Sequence, residues 1–299
     1  MKKFFATVLA LTMALSLAAC GAKKEEAPAA SAPAASAPAA SAPAASAPVE
    51  EAGISTITPG KLTVATSPDF APYEFYAIDE NGDPQLAGFD MALAQYIADY
   101  LGLELEVVPM DFDGTILELQ NKKVDLSMAG YSPDPDRADA MDFSDIYISG
   151  GQSFVCVDTT AEKFPDLAAA NNPDFTIGAQ IGSIQAGLAK ENTPDADIIE
   201  MAKVTDIIAE LITGKMDGAF IETMVAESYE KNYPELCIAL EVPYEAEGSV
   251  VGVSKGNEAL LKGVNEAIAA ALADGSMANF VAEANELASG EIHEGLLEG

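Results

Sequence analysis

Three polar residues stand where a small charged solute would need them. Arg137 is the only arginine in 299 residues. Cationic needs elsewhere are met by lysine, so a lone planar fork suits a bidentate hold on a carboxylate. It follows a strand-like run and the turn Ser132-Pro133-Asp134-Pro135-Asp136. A surface ion pair with Asp134, Asp136 or Asp139 would use the same residues equally well. Ser183 opens Gly182-Ser183-Ile184-Gln185 at the start of a helix. There its amide and hydroxyl can hold an anion or simply cap the helix. Glu222 follows the apolar run Gly218-Ala219-Phe220-Ile221, where it can pair with an ammonium or stabilise a helix N-terminus. Phe70, Tyr73 and Phe112 fall in loop segments, able to sandwich a ligand side chain or to form a minor cluster under the loop. A free amino acid carries both a carboxylate and an ammonium. Its site must supply both kinds of partner, because each desolvated charge is costly when unpaired.

Other chemistries are poorly served. His293 is the single histidine, and besides Cys20 only Cys156 and Cys237 are present. A catalytic triad or a zinc site is not expected from so small a set. Asp134, Asp136 and Asp139 are interrupted by prolines and lack a calcium-loop pattern, so no metal and no cofactor are expected. The two later cysteines can form a disulfide or remain buried thiols. With 15 basic and 48 acidic residues the formal charge is −33, which argues against nucleic acid or anionic membrane as a partner.

The elements that would position these residues follow from periodicity. Lys61 to Thr66 reads as a strand, Ser67 to Tyr73 as a loop, and Asn81-Gly82-Asp83 as a hairpin turn. Phe89 to Leu101 has helical spacing and stops at Gly102. A strand at 103–109, a short helix at 114–121 and a strand at 124–129 continue the alternation. The rhythm restarts with a strand at 175–179, helices at 183–190 and 204–214, a strand at 217–221 and a helix at 222–232. A strand at 248–254 and two helices near 258–273 and 277–288 close the chain. Two α/β halves imply two lobes, with ligands bound in the cleft outside the C-terminal ends of their strands. The loops to watch are 67–73, 129–137, 180–185 and 221–224.

The ends belong to another physics. Lys2 and Lys3 precede an apolar stretch ending at Ala19, the pattern of an export signal (residues 1–19) rather than of a spanning helix. Leu17-Ala18-Ala19-Cys20 resembles a bacterial lipobox, which implies that Cys20 carries a lipid anchor. Each buried lipid methylene would add about 0.8 kcal/mol of membrane affinity. Residues 20–58 read as a tether in which Ser-Ala-Pro-Ala-Ala recurs at Ser31, Ser36 and Ser41. Proline every fifth residue favours extended backbone, so Pro28 to Pro48 can reach about 60 Å. The expected location is outside the cytoplasm, on the cell membrane's extracellular or periplasmic face.

From Leu62 to Val157 the chain resembles the polar amino-acid solute-binding proteins of ABC importers. The words that carry the likeness are Ala65-Thr66-Ser67-Pro68-Asp69-Phe70-Ala71-Pro72-Tyr73-Glu74-Phe75 and Gly88-Phe89-Asp90-Met91-Ala92-Leu93-Ala94. Val108-Pro109-Met110-Asp111-Phe112-Asp113-Gly114, Leu119 to Asp125, Ala129-Gly130-Tyr131-Ser132 with Arg137, and Met141 to Tyr147 follow in order. The resemblance implies a type II periplasmic-binding-protein-like α/β fold, two lobes joined by a two-strand hinge. Lobe 1 would comprise 59–151 plus 250–289, lobe 2 would comprise 152–249, and 290–299 would be a disordered tail. It places Arg137 and Ser183 on the ligand carboxylate. Gly130, Ser132 and Glu222 would hold the ammonium, and Phe70 and Phe112 the side chain. Glu222 stands where the family usually has Asp. Ser67 stands where members that take cationic side chains tend to have Asp, with Asp69 nearby.

The expected function is capture of a polar, non-cationic L-amino acid by lobe closure and delivery to a membrane permease, by a monomer without enzymatic activity. The alternatives are an exported cyclohexadienyl or arogenate-type dehydratase using Glu222 as general acid or base, and an amino-acid sensory module.

Overall fold

The computed structural model describes residues 53–79, 81–245 and 248–289. The expected signal, Cys20, the repeats of the tether, His293 and the 290–299 tail lie outside the described residues.

In chain order the first half contains β1 (Lys61–Thr66), β2 (Asp69–Phe70), β3 (Glu74–Ile78), β4 (Pro84–Ala87), α1 (Phe89–Leu101), β5 (Glu104–Pro109), α2 (Phe112–Gln120), β6 (Leu126–Tyr131), a 3₁₀ turn at Pro135–Arg137, and β7 (Met141–Phe143). The second half contains β8 (Gln152–Val157), α3 (Leu167–Ala170), β9 (Thr176–Gln180), α4 (Ile184–Asn192), β10 (Asp197–Met201), α5 (Val204–Ile212), β11 (Gly218–Glu222), α6 (Thr223–Asn232) and β12 (Leu236–Val242). The chain closes with β13 (Val250–Ser254), α7 (Glu258–Asp274) and α8 (Ser276–Ala288).

These strands make two five-stranded sheets, ordered β5-β1-β6-β13-β7 and β10-β9-β11-β8-β12. In each, four strands run the same way and one, β13 or β8, runs against them in the fourth position. The chain passes between the sheets twice, from β7 to β8 and from β12 to β13. An antiparallel bridge between Ile148 and Ser249 ties these crossings together. The result is two α/β lobes joined by paired crossing segments.

α1 forms where the periodicity predicts, and buries Phe89, Leu93, Tyr96, Ile97 and Leu101. It stops at Gly102, which adopts φ 70° and returns its amide to Ala98, a left-handed ending that glycine makes without strain. α7 and α8 pack on α1: the Tyr96 and Phe280 rings lie 6.1 Å apart, and the Tyr96 hydroxyl donates to Asp274 at 2.8 Å. The second lobe centres on Phe154, whose ring meets Phe164 at 5.1 Å and Phe220 at 5.3 Å. Burying each such ring contributes about 2 kcal/mol.

Two expectations shift in detail. Phe112 is not a loop residue but the first residue of α2, because extended Asp111 serves as N-cap. Phe70 lies in the two-residue strand β2, which pairs with β3.

Candidate functional site

The parallel strands of both lobes point their C-terminal ends at one cleft. β1 leads into Ser67 and β2, which holds Asp69 and Phe70; β6 ends in Gly130 and Tyr131 and leads into Ser132; β9 ends at Gln180 and β11 at Glu222. Strand ends there leave main-chain groups unpaired by the sheet, and α/β sheets bind ligands there for that reason.

The cleft is closed. Phe70, Phe112, Ala129, Gly130, Ser132 and Arg137 from the first lobe face Gln180, Ile184 and Gln185 from the second. The free volume between them is about 10 Å³, room for a single water. A ligand of amino-acid size therefore enters only when the lobes separate.

Arg137 is buried, 8% exposed. Its guanidinium carbon lies 5.5 Å from the centre of the Phe112 ring and 5.5 Å from that of Tyr131. One Nη donates across the cleft to the Gly182 carbonyl at 3.1 Å. The Asp134 carboxylate approaches Nε only to 3.9 Å, too far for a hydrogen bond. Burial pulls the arginine pKa down, a sign that its charge is incompletely solvated. The surface ion pair allowed by the sequence is thus present only as a loose contact, and no described contact reaches Asp136 or Asp139.

Ser183 does what a plain cap does. Its hydroxyl donates to the Gln180 carbonyl at 2.7 Å and accepts from the Ala186 amide at 3.2 Å, and its own amide goes to Gln180. Glu222 is divided between two tasks. One carboxylate oxygen accepts from the Val225 amide at 3.0 Å and caps α6. The other is buried without a hydrogen-bond partner, near Gly150 and the Tyr73 hydroxyl. Burial pushes this carboxyl up to about 7. Tyr73 itself lies beneath the cavity wall, fully buried, its ring 5.4 Å from Phe70 and 4.4 Å from Phe89. Its hydroxyl accepts from Ser249 at 3.2 Å. Ser67 donates to Asp69 at 2.8 Å, and neither lines the cavity.

A buried acidic group underlies Gly130. Asp90 accepts from the Tyr147 hydroxyl at 2.6 Å and from the Gly130 amide at 3.2 Å, and burial pushes it up to about 6. Glu74 is fully buried beside it, both oxygens without a partner. Burial and then the charges of Asp90 and Asp69 hold it well above the usual carboxylate range. Among the described residues no cluster has the composition of a metal site.

Sequence reasoning did not single out Gln180, Ile184 and Gln185, although the 180–185 loop was marked by its position after a strand. Gln185 donates to Gln152 at 2.8 Å, so the second lobe's wall is a braced amide surface.

Comparison with known proteins bears on the family and the fold. Residues 62–283 match the profile of the bacterial extracellular solute-binding proteins, family 3. An arginine-binding extracellular protein of Bacillus subtilis is 34% identical over 203 residues, covering 66% of this chain and 76% of that protein. A cyclohexadienyl dehydratase of Pseudomonas aeruginosa is 28% identical over 178 residues, covering 60% of this chain and 65% of the enzyme. Among solved structures, an amino acid ABC transporter substrate-binding protein from Streptococcus pneumoniae bound to L-arginine superposes with a TM-score of 0.74 at 29% identity, covering 78% of this chain and 97% of the other.

Proposed function

The chain belongs to the bacterial extracellular solute-binding proteins, family 3, and from that membership we propose that it captures a neutral polar L-amino acid between its lobes for an ABC importer. Arg137 carries the reading. Its guanidinium is buried in the interlobe cavity against two aromatic rings, with no hydrogen-bonded carboxylate among the described residues. Such a charge gains most from a ligand carboxylate that completes it. The free oxygen of Glu222 receives the ammonium, together with the Gly130 carbonyl and the Ser132 hydroxyl. Phe70 and Phe112 cover the side chain.

Neutrality of the side chain is supported by the cavity lining, which contains amides and aromatics but no carboxylate; Glu222, assigned to the ammonium, stands behind that lining and not in it. Ser183 supports the carboxylate indirectly, by holding the start of α4. Tyr73 and Ser67 support Phe70 and Asp69 from behind. Arginine, bound by relatives, is the competing ligand. The mature protein is a monomer held to the cell membrane through Cys20, and it hands its ligand to a permease.

A thermal shift screen of the refolded protein against the twenty L-amino acids tests this. A binder at 100 times its dissociation constant adds about 2.7 kcal/mol, which raises Tm by several degrees. The expected pattern is a larger shift with a neutral polar amino acid than with arginine or lysine, lost in Arg137→Ala. A larger shift with arginine would overturn the neutral assignment, and no shift with any amino acid would overturn the site.

One observation favours a second reading. The free Glu222 oxygen, on a carboxyl raised to about 7, has the protonation behaviour of a general acid, and a dehydratase is among the relatives. Turnover of a prephenate-like cyclic acid, abolished by Glu222→Gln, would establish that activity.

A further inference from the structure

Asp69 belongs to the first lobe, yet its carboxylate is committed to the second. One oxygen accepts from the Val204 amide at 2.6 Å and from the Gln180 side-chain amide at 3.1 Å. The other accepts from Ser67 at 2.8 Å within its own lobe. The side chain is buried, 5% exposed, and does not line the cavity.

The receiving end is unusual among the helices of the second lobe. α3 is capped by Asp166, α4 by Ser183 and α6 by Glu222, each the residue just before its helix. α5 begins after Lys203, whose side chain makes no cap hydrogen bond. Its first amide, that of Val204, is satisfied by Asp69 from across the cleft. An anion at a helix N-terminus is favourable both as a hydrogen-bond acceptor and through the helix dipole. The cap of α5 is therefore complete only when the lobes are together.

We propose that Asp69 is an interlobe latch, a carboxylate of lobe 1 that caps α5 of lobe 2 on closure and sets the closed-state population, rather than a contact to the ligand's side chain. The oxygen facing lobe 2 already accepts two hydrogen bonds, from Val204 and Gln180, and the other accepts one from Ser67, so most of the carboxylate's accepting capacity is used within the protein. The latch raises affinity for every ligand that requires closure by the same factor, because it stabilises the closed state and not a particular ligand. Only the affinity arm of its test rests on the amino-acid-capture reading.

The test uses Asp69→Ala and Val204→Pro. The second variant deletes the donor from the other side at small structural cost. Proline is accepted at a helix's first position, and Lys203 already has the extended φ −121° and ψ 137° that a residue before proline adopts. Dyes at Lys262→Cys on lobe 1 and Glu162→Cys on lobe 2 report lobe separation by energy transfer in the ligand-free protein. Calorimetry gives affinity for glutamine and arginine. Each variant is expected to lower the ligand-free closed fraction and to weaken binding about tenfold. The affinity factor should be equal for neutral and cationic ligands, and the double variant no weaker than either single one. A loss confined to arginine would make Asp69 a ligand contact and overturn the latch. So would an unchanged closed fraction in both variants. If the parent protein binds no amino acid, the capture reading fails, while the ligand-free distances still decide the latch.

Discussion

Glu222 offers the sharpest quantitative test of the ligand site. Its carboxyl is raised from an ordinary 4.5 to about 7, first by burial, with one oxygen unpartnered. A ligand ammonium pairs only with the charged form, so binding must drive the proton off. Linkage then fixes the sign: affinity rises with pH and levels off above about 7. Each pH unit below that value costs a further factor of about ten, so binding at pH 5 is about a hundredfold weaker than at pH 8. The ligand's own carboxylate and ammonium do not titrate in that window. Ligand-free stability runs the other way. A carboxyl whose folded-state pKa is raised contributes stability that is full below pH 4.5 and is lost as the pH rises through about 7. For Glu222 this amounts to about 3 kcal/mol, and Asp69 and Asp90, each raised to about 6 by burial, add to the same trend. Calorimetric titration from pH 5 to pH 8, in parallel with ligand-free melting, measures both. In Glu222→Gln the amide keeps the α6 cap, so the protein folds, but the affinity step centred near pH 7 disappears. An affinity that is flat from pH 5 to pH 8, or a step that survives in Glu222→Gln, would refute the assignment of Glu222 to the ammonium.

Arg137→Lys keeps the charge but loses the fork and the stacking against Phe112 and Tyr131. Affinity is expected to fall about thirtyfold, or about 2 kcal/mol, and an unchanged dissociation constant by calorimetry would show that the fork is not used. Gly130 adopts φ +57°, and a Cβ there would sit 2.6 Å from the Phe70 ring. Gly130→Ala is therefore expected to cost about 3 kcal/mol in denaturant unfolding and to weaken ligand binding by displacing Phe70. Cys156 and Cys237 are directly opposed partners on β8 and β12, with sulfurs 3.7 Å apart. Burial pushes the Cys156 thiol up to about 12. Native labelling should be slow, whereas a mild oxidant should join this pair within one chain; peptide mapping that finds only other linkages would refute the pairing.

Much of the framework is local and was legible as such. β1 and α1 appear with the bounds that apolar spacing and Gly102 dictate, because strand alternation and helix periodicity are properties of neighbouring residues. β8, β10 and β12 were not read. Their short, partly apolar runs take strand form from partners far along the chain, Gln152 to Val157 lying between β11 and β12. Sequence also determined the chemical inventory: a single arginine, one histidine and three cysteines, and an acid at the end of β11. Only the tertiary structure decided how those groups are spent. It set Arg137 against the adjoining Phe112 and Tyr131 rings, divided Glu222 between a helix cap and a free oxygen, and brought Gln180 and Gln185 to the cavity wall. It also gave Asp69 to a helix that starts 135 residues later. Spacing along the chain fixes which way a residue faces on its own element. Which element it meets across a closed cleft depends on the packing of two lobes, and no local pattern encodes that distance.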